Sequence, residues 1–200
     1  MSRSRLTREQ RRAQLIDLGM QMVEASSFDA VSVDDVAARA GISRSLLFHY
    51  FPTKRDFQLA LAEQAAHDLL ERIAPDPDLD PVARLRTGAG SYIDYVTDRR
   101  EAYLSLVRGA AGGDDAMRVV FDGTRAQIAG WLLMGLGHEP EDAPQDLWLA
   151  ARGWVALLEE MCVVWLQTDV LDRDEFVDLM ERATTALFAG LGIDRSLLET

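Results

Sequence analysis

Arg44, Ser45, Leu46, Phe48 and His49 stand away from the Leu47, Tyr50, Phe51 side of a short helical stretch, within SVDDVAARAGISRSLLFHYFPTKRDF at residues 32 to 57. A cation, a hydroxyl, an imidazole and two apolar groups on one face suit the reading of base-pair edges in a DNA groove. Arg44 is matched to guanine, which offers two acceptors side by side, and Leu46 to a thymine methyl. Phosphate contacts would set the register of such a helix while base contacts select the sequence. Ser32, Ser43, Tyr50 and Lys54 complete the candidate DNA-contacting set.

Local signals build the elements that would hold these residues. Ser32 and Asp35 form an S-x-x-D box that starts a helix with Val33, Val36, Ala37 and Ala40 on its apolar side. Gly41 ends that helix, since a residue without Cβ takes the left-handed conformation a sharp turn needs. Ser43 can cap a second helix, which Leu47, Tyr50, Phe51 and Ile42 would seal against the rest. Upstream, Thr7 and Gln10 make a capping box before Leu15, Leu18, Met22 and Val23, which share a face. Downstream, Thr53 and Asp56 form another. Lys54 and Arg55 occupy its first turn, where the helix dipole disfavours cations. A bound phosphate would relieve that conflict; neutralisation by Asp56 is the other reading.

The run Leu47-Phe48-His49-Tyr50-Phe51-Pro52-Thr53-Lys54, with the helix-turn-helix before it, resembles the N-terminal domain of the tetracycline-repressor (TetR) family of bacterial transcription regulators. The likeness covers roughly the first third of the chain. It implies a dimeric regulator that binds a double-stranded DNA operator, usually as a repressor. Such proteins are released when a ligand shifts the fourth helix and spreads the two DNA heads. Three positions depart from the family pattern. Ser27 stands where Gly is usual, Phe48 where Tyr is common, and Leu46 where Thr is common, so two hydroxyls that could meet phosphates are absent.

Charge is divided unevenly. Residues 1 to 55 hold nine Lys or Arg against six Asp or Glu, while residues 56 to 200 hold twelve against twenty-seven, within a net −12. DNA would be repelled by the acidic part, which confines binding to the basic end with Arg3, Arg5, Arg8, Arg11 and Arg12. Those arginines either follow the DNA backbone or form a solvated tail ending at Thr7. Nothing resembles a signal peptide, and no stretch reaches eighteen uncharged apolar residues, so a cytoplasmic location without membrane contact is expected. One cysteine, Cys162, excludes a disulfide framework and a multi-cysteine metal site; core packing is its simplest role, with redox sensing the alternative.

The 200 residues suit an all-α chain of about nine helices in two domains. The expected division is a DNA-binding helix-turn-helix domain over 1–55 and a helical effector-binding and dimerisation domain over 56–200. Ala74 to Pro81, rich in Pro and Asp, must end a fourth helix running from about 53 to 73. Helices are then expected near 82–97, 100–110, 115–136, 144–168 and 173–190, and few stretches alternate as strands do. The 144–168 helix is apolar on more than one side. Leu147, Ala151, Trp154, Leu158, Met161 and Trp165 form one stripe; Trp148, Val155, Cys162 and Leu166 form another. So broad an apolar surface needs two covers, and a second subunit would be one of them. Leu147, Trp148, Val155, Cys162, Phe176, Met180, Ala183 and Leu187 are the candidate homodimer interface, as a four-helix bundle.

The middle helices should hold a sensor for a small apolar effector. Candidate lining residues are His67, Tyr92, Tyr95, Tyr103, Arg108, Met117, Phe121, Arg125, Trp131 and Trp154, with Gln127 and Met134 nearby in sequence. No cofactor or metal is expected. An enzyme finds little support, because His49, His67 and His138 are far apart in sequence and no Gly-rich loop follows a strand. Gly112 to Asp115 follows a helix and suits a helix-helix turn. A regulator or adaptor controlled by a protein partner, with no small-molecule effector, is the alternative function.

Overall fold

The computed structural model describes residues 6–24, 26–28, 30–111, 115–168 and 170–192. Arg3, Arg5, Asp29, Gly112 to Asp114 and Asp169 lie outside the described residues. Nine α-helices and no strand occur among the described residues. They are α1 (Arg8–Glu24), α2 (Val33–Ala40), α3 (Arg44–Tyr50), α4 (Lys54–Ile73), α5 (Pro81–Asp98), α6 (Arg100–Ala111), α7 (Asp115–Gly135), α8 (Gln145–Thr168) and α9 (Arg173–Gly190). No described helix is long and apolar enough to cross a membrane.

The chain gathers into two compact units that interleave along the sequence. One comprises residues up to His67 together with Glu101–Val120; the other comprises Asp68–Arg100 together with residues from Phe121 onward. The sequence reading places a single cut after residue 55, and the observed grouping is more divided than that.

In the first unit, caps set the boundaries. Thr7 and Gln10 exchange reciprocal bonds of 3.0 and 3.1 Å ahead of α1. Ser32 accepts the Asp35 amide at 3.3 Å at the start of α2. Gly41 closes α2 at φ 65°, and the Ile42 amide reaches back to the Ala37 carbonyl at 3.0 Å. That left-handed position is open to glycine at no steric cost. The core contains Leu15, Val23, Val36, Leu47, Phe51, Phe57 and Leu61, each no more than 2% exposed.

The buried face of α1 is rotated from the expected one. Leu15 and Val23 are buried as expected, but their companions are Ile16, Gly19 and Met20, while Leu18 and Met22 are only half-buried. Gly19 is the reason. A Cβ there would stand 2.7 Å from Leu61 Cδ2 and 2.8 Å from Phe57 Cζ, so the bare backbone of α1 is what admits α4 so closely.

In the second unit α5, α8 and α9 pack together. Asp80 caps α5 by accepting the Val82 and Ala83 amides, and Asp172 and Glu175 form a full capping box on α9. Trp165 and Phe176 stack with ring centroids 4.6 Å apart. Arg86 of α5 pairs with Asp178 and Glu181 of α9, and Arg173 of α9 grips Asp94 of α5 at 2.6 and 2.9 Å. That guanidinium passes close to Gly90, where a Cβ would lie 3.3 Å from Arg173 Nη2.

Candidate functional site

The helix α3 is anchored by Leu47 and by Phe51 just after it, 0% and 2% exposed, which turns Arg44, Ser45, Leu46 and His49 outward. Leu46 keeps 40% of its surface in water, an apolar group left uncovered at the front of the unit. Ser43 spends its hydroxyl on capping: it accepts the Leu46 amide at 3.2 Å and lies 3.0 Å from the Ser45 hydroxyl. Ser32 is half-buried and its hydroxyl is likewise committed to a cap, that of α2.

One candidate sits differently from the expectation. Phe48, expected on the outward face, is half-buried and packed against the first core, as is Tyr50 on the sealing side, because a seven-residue helix lying on the unit leaves only part of its circumference free. Phe48 instead carries Arg44, whose guanidinium carbon lies 5.4 Å from the ring centroid. His49 meets Tyr50 edge-on at 5.6 Å.

Sequence reasoning missed Asp34. From the first turn of α2 its two carboxylate oxygens accept from Arg44 Nη1 at 3.0 and 2.7 Å, across the turn of the helix-turn-helix. Ten residues separate the partners, and no spacing rule connects them. Their side chains remain 62% and 58% exposed, so the pair sits on the surface that α3 displays.

At the start of α4 the Asp56 carboxylate accepts the Thr53 amide and hydroxyl, both at 2.8 Å, and the Thr53 hydroxyl accepts the Asp56 amide at 3.1 Å. The capping box is therefore complete. Lys54 is exposed and makes no ion pair among the described residues. Arg12 of the same unit lies over the Phe51 ring at 5.2 Å, adding a second cation to this end.

The second unit contains a cavity of about 110 Å³. Ile73 and Pro75 border it from the end of α4, Leu85, Gly88, Ala89 and Tyr92 from α5, Ile128, Trp131, Leu132 and Leu136 from α7 and its end, and Trp154, Val155, Leu158 and Met180 from α8 and α9. The polar side chains at its edge are engaged. The Trp154 indole donates to Thr184 Oγ1 at 2.7 Å. Glu159 accepts Arg125 Nε at 2.7 Å. That carboxylate also raises the Arg125 pKa, mainly through this hydrogen bond. Arg84 donates to the carbonyls of Asp76, Pro77 and Leu79 at 2.9, 3.1 and 2.8 Å, fastening the segment between α4 and α5.

Of the expected lining residues, Tyr92, Trp131 and Trp154 border the cavity. Tyr95, Phe121 and Arg125 belong to the same unit without lining it; Tyr95 is core, with Arg99 4.6 Å over its ring. His67, Tyr103, Arg108 and Met117 fall in the other unit, where Tyr103 is buried and Met117 packs on the first core. Arg108 turns back onto its own helix, donating to the Leu104 carbonyl at 2.9 Å. Gln127 is exposed, as is Met134.

The expected interface also needs correction. Leu147, Val155, Cys162, Phe176 and Met180 are at most 4% exposed within a single chain, so both apolar stripes of α8 are internal packing. Trp148 is the exception at 48%, while Ala183 and Leu187 are half-buried. Besides Trp148, the uncovered large apolar positions of α8 are Leu149, Leu157 and Val164, which with Gly153, Ala156 and the exposed Glu160 make a third, outward strip. Burial pushes the Cys162 thiol up to about 12, with a smaller contribution from Glu159, which fits packing and not redox chemistry.

Comparison with known proteins gives matches at both ends. The family model "Bacterial regulatory proteins, tetR family" covers residues 15–61, and "Tetracyclin repressor-like, C-terminal domain" covers residues 81–187. The chain is 28% identical over 193 residues to the HTH-type transcriptional activator FasR of Mycolicibacterium smegmatis, spanning 88% of this chain and 81% of that protein. A tetR-family transcriptional regulator from Streptomyces coelicolor has a similar structure, with a TM-score of 0.82 at 30% identity over 96% of this chain and 86% of that one. The multidrug binding protein EbrR complexed with imidazole aligns with a TM-score of 0.63 at 26% identity, over 86% and 93% of the two chains.

Proposed function

The chain belongs to the TetR family of bacterial transcriptional regulators, and we propose that it represses as a homodimer on a palindromic operator that a small apolar compound makes it leave. The observation that carries this reading is the outward face of α3, where Arg44, Ser45, Leu46 and His49 are exposed over a buried Leu47 and Phe51. An exposed leucine beside an arginine, with a free lysine at the next helix start, has the composition of a major-groove reader with a phosphate contact. Paired copies would place two such helices about 34 to 36 Å apart, or a multiple of that. The outward strip Leu149, Leu157 and Val164 is the surface that would join them.

The cavity supports a neutral, largely apolar effector. Its walls are aliphatic and aromatic, and Trp154, Glu159 and Arg84 have their hydrogen bonds already placed. For scale, an apolar cavity of about 150 Å³ accepts benzene. Ile73, the last residue of α4, borders the cavity, and Lys54 begins the same helix. An occupant pressing on Ile73 therefore acts on the helix that carries the phosphate contact. Release requires that it bind better to the conformation that leaves DNA.

Selection of bound DNA from a random pool, followed by a thermal-shift and DNA-release screen with neutral monocyclic and short aliphatic compounds, tests this function. A palindromic motif, and a compound that both stabilises the protein and frees the DNA, are expected. A compound at about 100 times its Kd should add about 2.7 kcal/mol. A motif without two-fold symmetry would sink the dimeric reading, and DNA binding indifferent to every such compound would sink the effector reading.

A further inference from the structure

Arg44 is held on two sides by neighbours in its own domain. Asp34 takes Nη1 at 2.7 and 3.0 Å, and the Phe48 ring lies 5.4 Å from the guanidinium carbon. A guanidinium has five N–H donors on three nitrogens, in a rigid plane. Only Nη1 is used here; Nε and Nη2 make no hydrogen bond among the described residues. Guanine presents O6 and N7 side by side, which two neighbouring N–H groups of one arginine edge can meet together.

We propose that Asp34 is a positioning residue for base recognition: by occupying Nη1 it fixes the plane of Arg44 and reserves the Nε–Nη2 edge for one guanine. This rests on the reading of α3 as the groove-entering helix. Phe48, itself packed on the first core, supports the guanidinium from beneath. Asp34 has a second effect of opposite sign. A carboxylate on this surface repels phosphate, so it weakens binding to DNA of every sequence while sharpening the choice among sequences.

Those two signs separate the proposal from a structural role. Random-pool selection with the full-length protein and with Arg44→Ala first locates the guanine that depends on Arg44. Affinity for that site and for the site with the guanine replaced is then measured for the unmodified protein, Asp34→Ala and Asp34→Asn. Asp34→Ala should bind the replaced site more tightly than the unmodified protein does. Its preference for the guanine should fall by roughly two- to fivefold, the range an exposed ion pair can supply. Asp34→Asn keeps an acceptor without the charge and should retain more of that preference than Asp34→Ala. In an Arg44→Ala background, Asp34→Ala should leave preference at that position unchanged.

An Asp34→Ala protein with undiminished guanine preference overturns the proposal, as does one weakened equally on both sites. Failure of the unmodified protein to select any motif would instead remove the underlying reading of α3. A motif that Arg44→Ala leaves intact overturns the proposal while leaving DNA binding standing.

Discussion

Trp154 of α8 donates its indole N–H to the Thr184 hydroxyl of α9 at 2.7 Å, and Thr184 in turn donates to the Met180 carbonyl at 2.7 Å. The chain of bonds is buried, with Trp154 and Thr184 5% and 1% exposed, and it satisfies the indole's polar atom beside the adjoining cavity. Thr184→Val should leave that N–H without an acceptor and cost about 1 to 3 kcal/mol in urea unfolding, whereas Thr184→Ser should cost less than Thr184→Val. Equal losses for the two variants would show that shape, not the hydrogen bond, matters at this position.

Gly19 sets how closely α1 and α4 approach. Phe57 and Leu61 are both fully buried and cannot swing aside, so Gly19→Val should destabilise by about 2 to 3 kcal/mol through overpacking. Chemical denaturation would register this as a lower midpoint; an unchanged midpoint would mean that α1 and α4 can separate at no cost.

Arg173 holds the Asp94 carboxyl below its ordinary range, chiefly by hydrogen bonding and less by its charge, with a small Coulombic share from Arg72 and partial opposition from burial. A lowered folded pKa means the ionised carboxylate stabilises the fold above about pH 4, and this contribution is lost as pH falls through the still lower folded value. Both side chains are more than a third exposed, so screening limits the pair to about 0.5 to 1 kcal/mol. Asp94→Asn should therefore melt lower than the unmodified protein at pH 7, by a margin that narrows as pH falls below about 4. A difference that persisted undiminished at pH 3 would rule out the ionised pair as its source.

Cys162 is 0% exposed and its thiol is pushed up to about 12. At pH 8 a thiol-specific reagent should label the native protein slowly and the urea-unfolded protein quickly. Rapid labelling without unfolding would return the redox reading to consideration.

Leu157 and Val164 are 43% and 46% exposed on the outward strip of α8. Replacing both with Asp should halve the mass seen by light scattering and abolish selective DNA binding, while the helical signal in circular dichroism stays intact. A double variant that keeps its dimeric mass would place the subunit contact elsewhere.

Helix boundaries were legible because the signals that set them are local. Thr7 with Gln10, Ser32, Gly41, Ser43 and Thr53 with Asp56 act within three or four residues of where they stand. Asp172 with Glu175 carries the same local signal. Faces were less legible. On α8 almost every side is apolar, so composition could not say that Leu147 and Val155 turn inward while Leu149 and Leu157 turn out. On α1 the buried arc was shifted by a glycine whose role depends on Leu61 and Phe57, some forty residues on. The cavity was harder still: its shape comes from five helices, and Ile73, Gly88 and Met180 carry no mark of it in the sequence.

The three carbonyls that Arg84 gathers from Asp76, Pro77 and Leu79 bear on how a guest would be received. A loop that must be ordered on binding charges its lost freedom against affinity. Here that freedom is already surrendered to the bonds from Arg84, and Pro75, at the rim, is part of the same short segment. This wall is a preorganised one, against which a compound of modest size can bind without first having to tidy the loop.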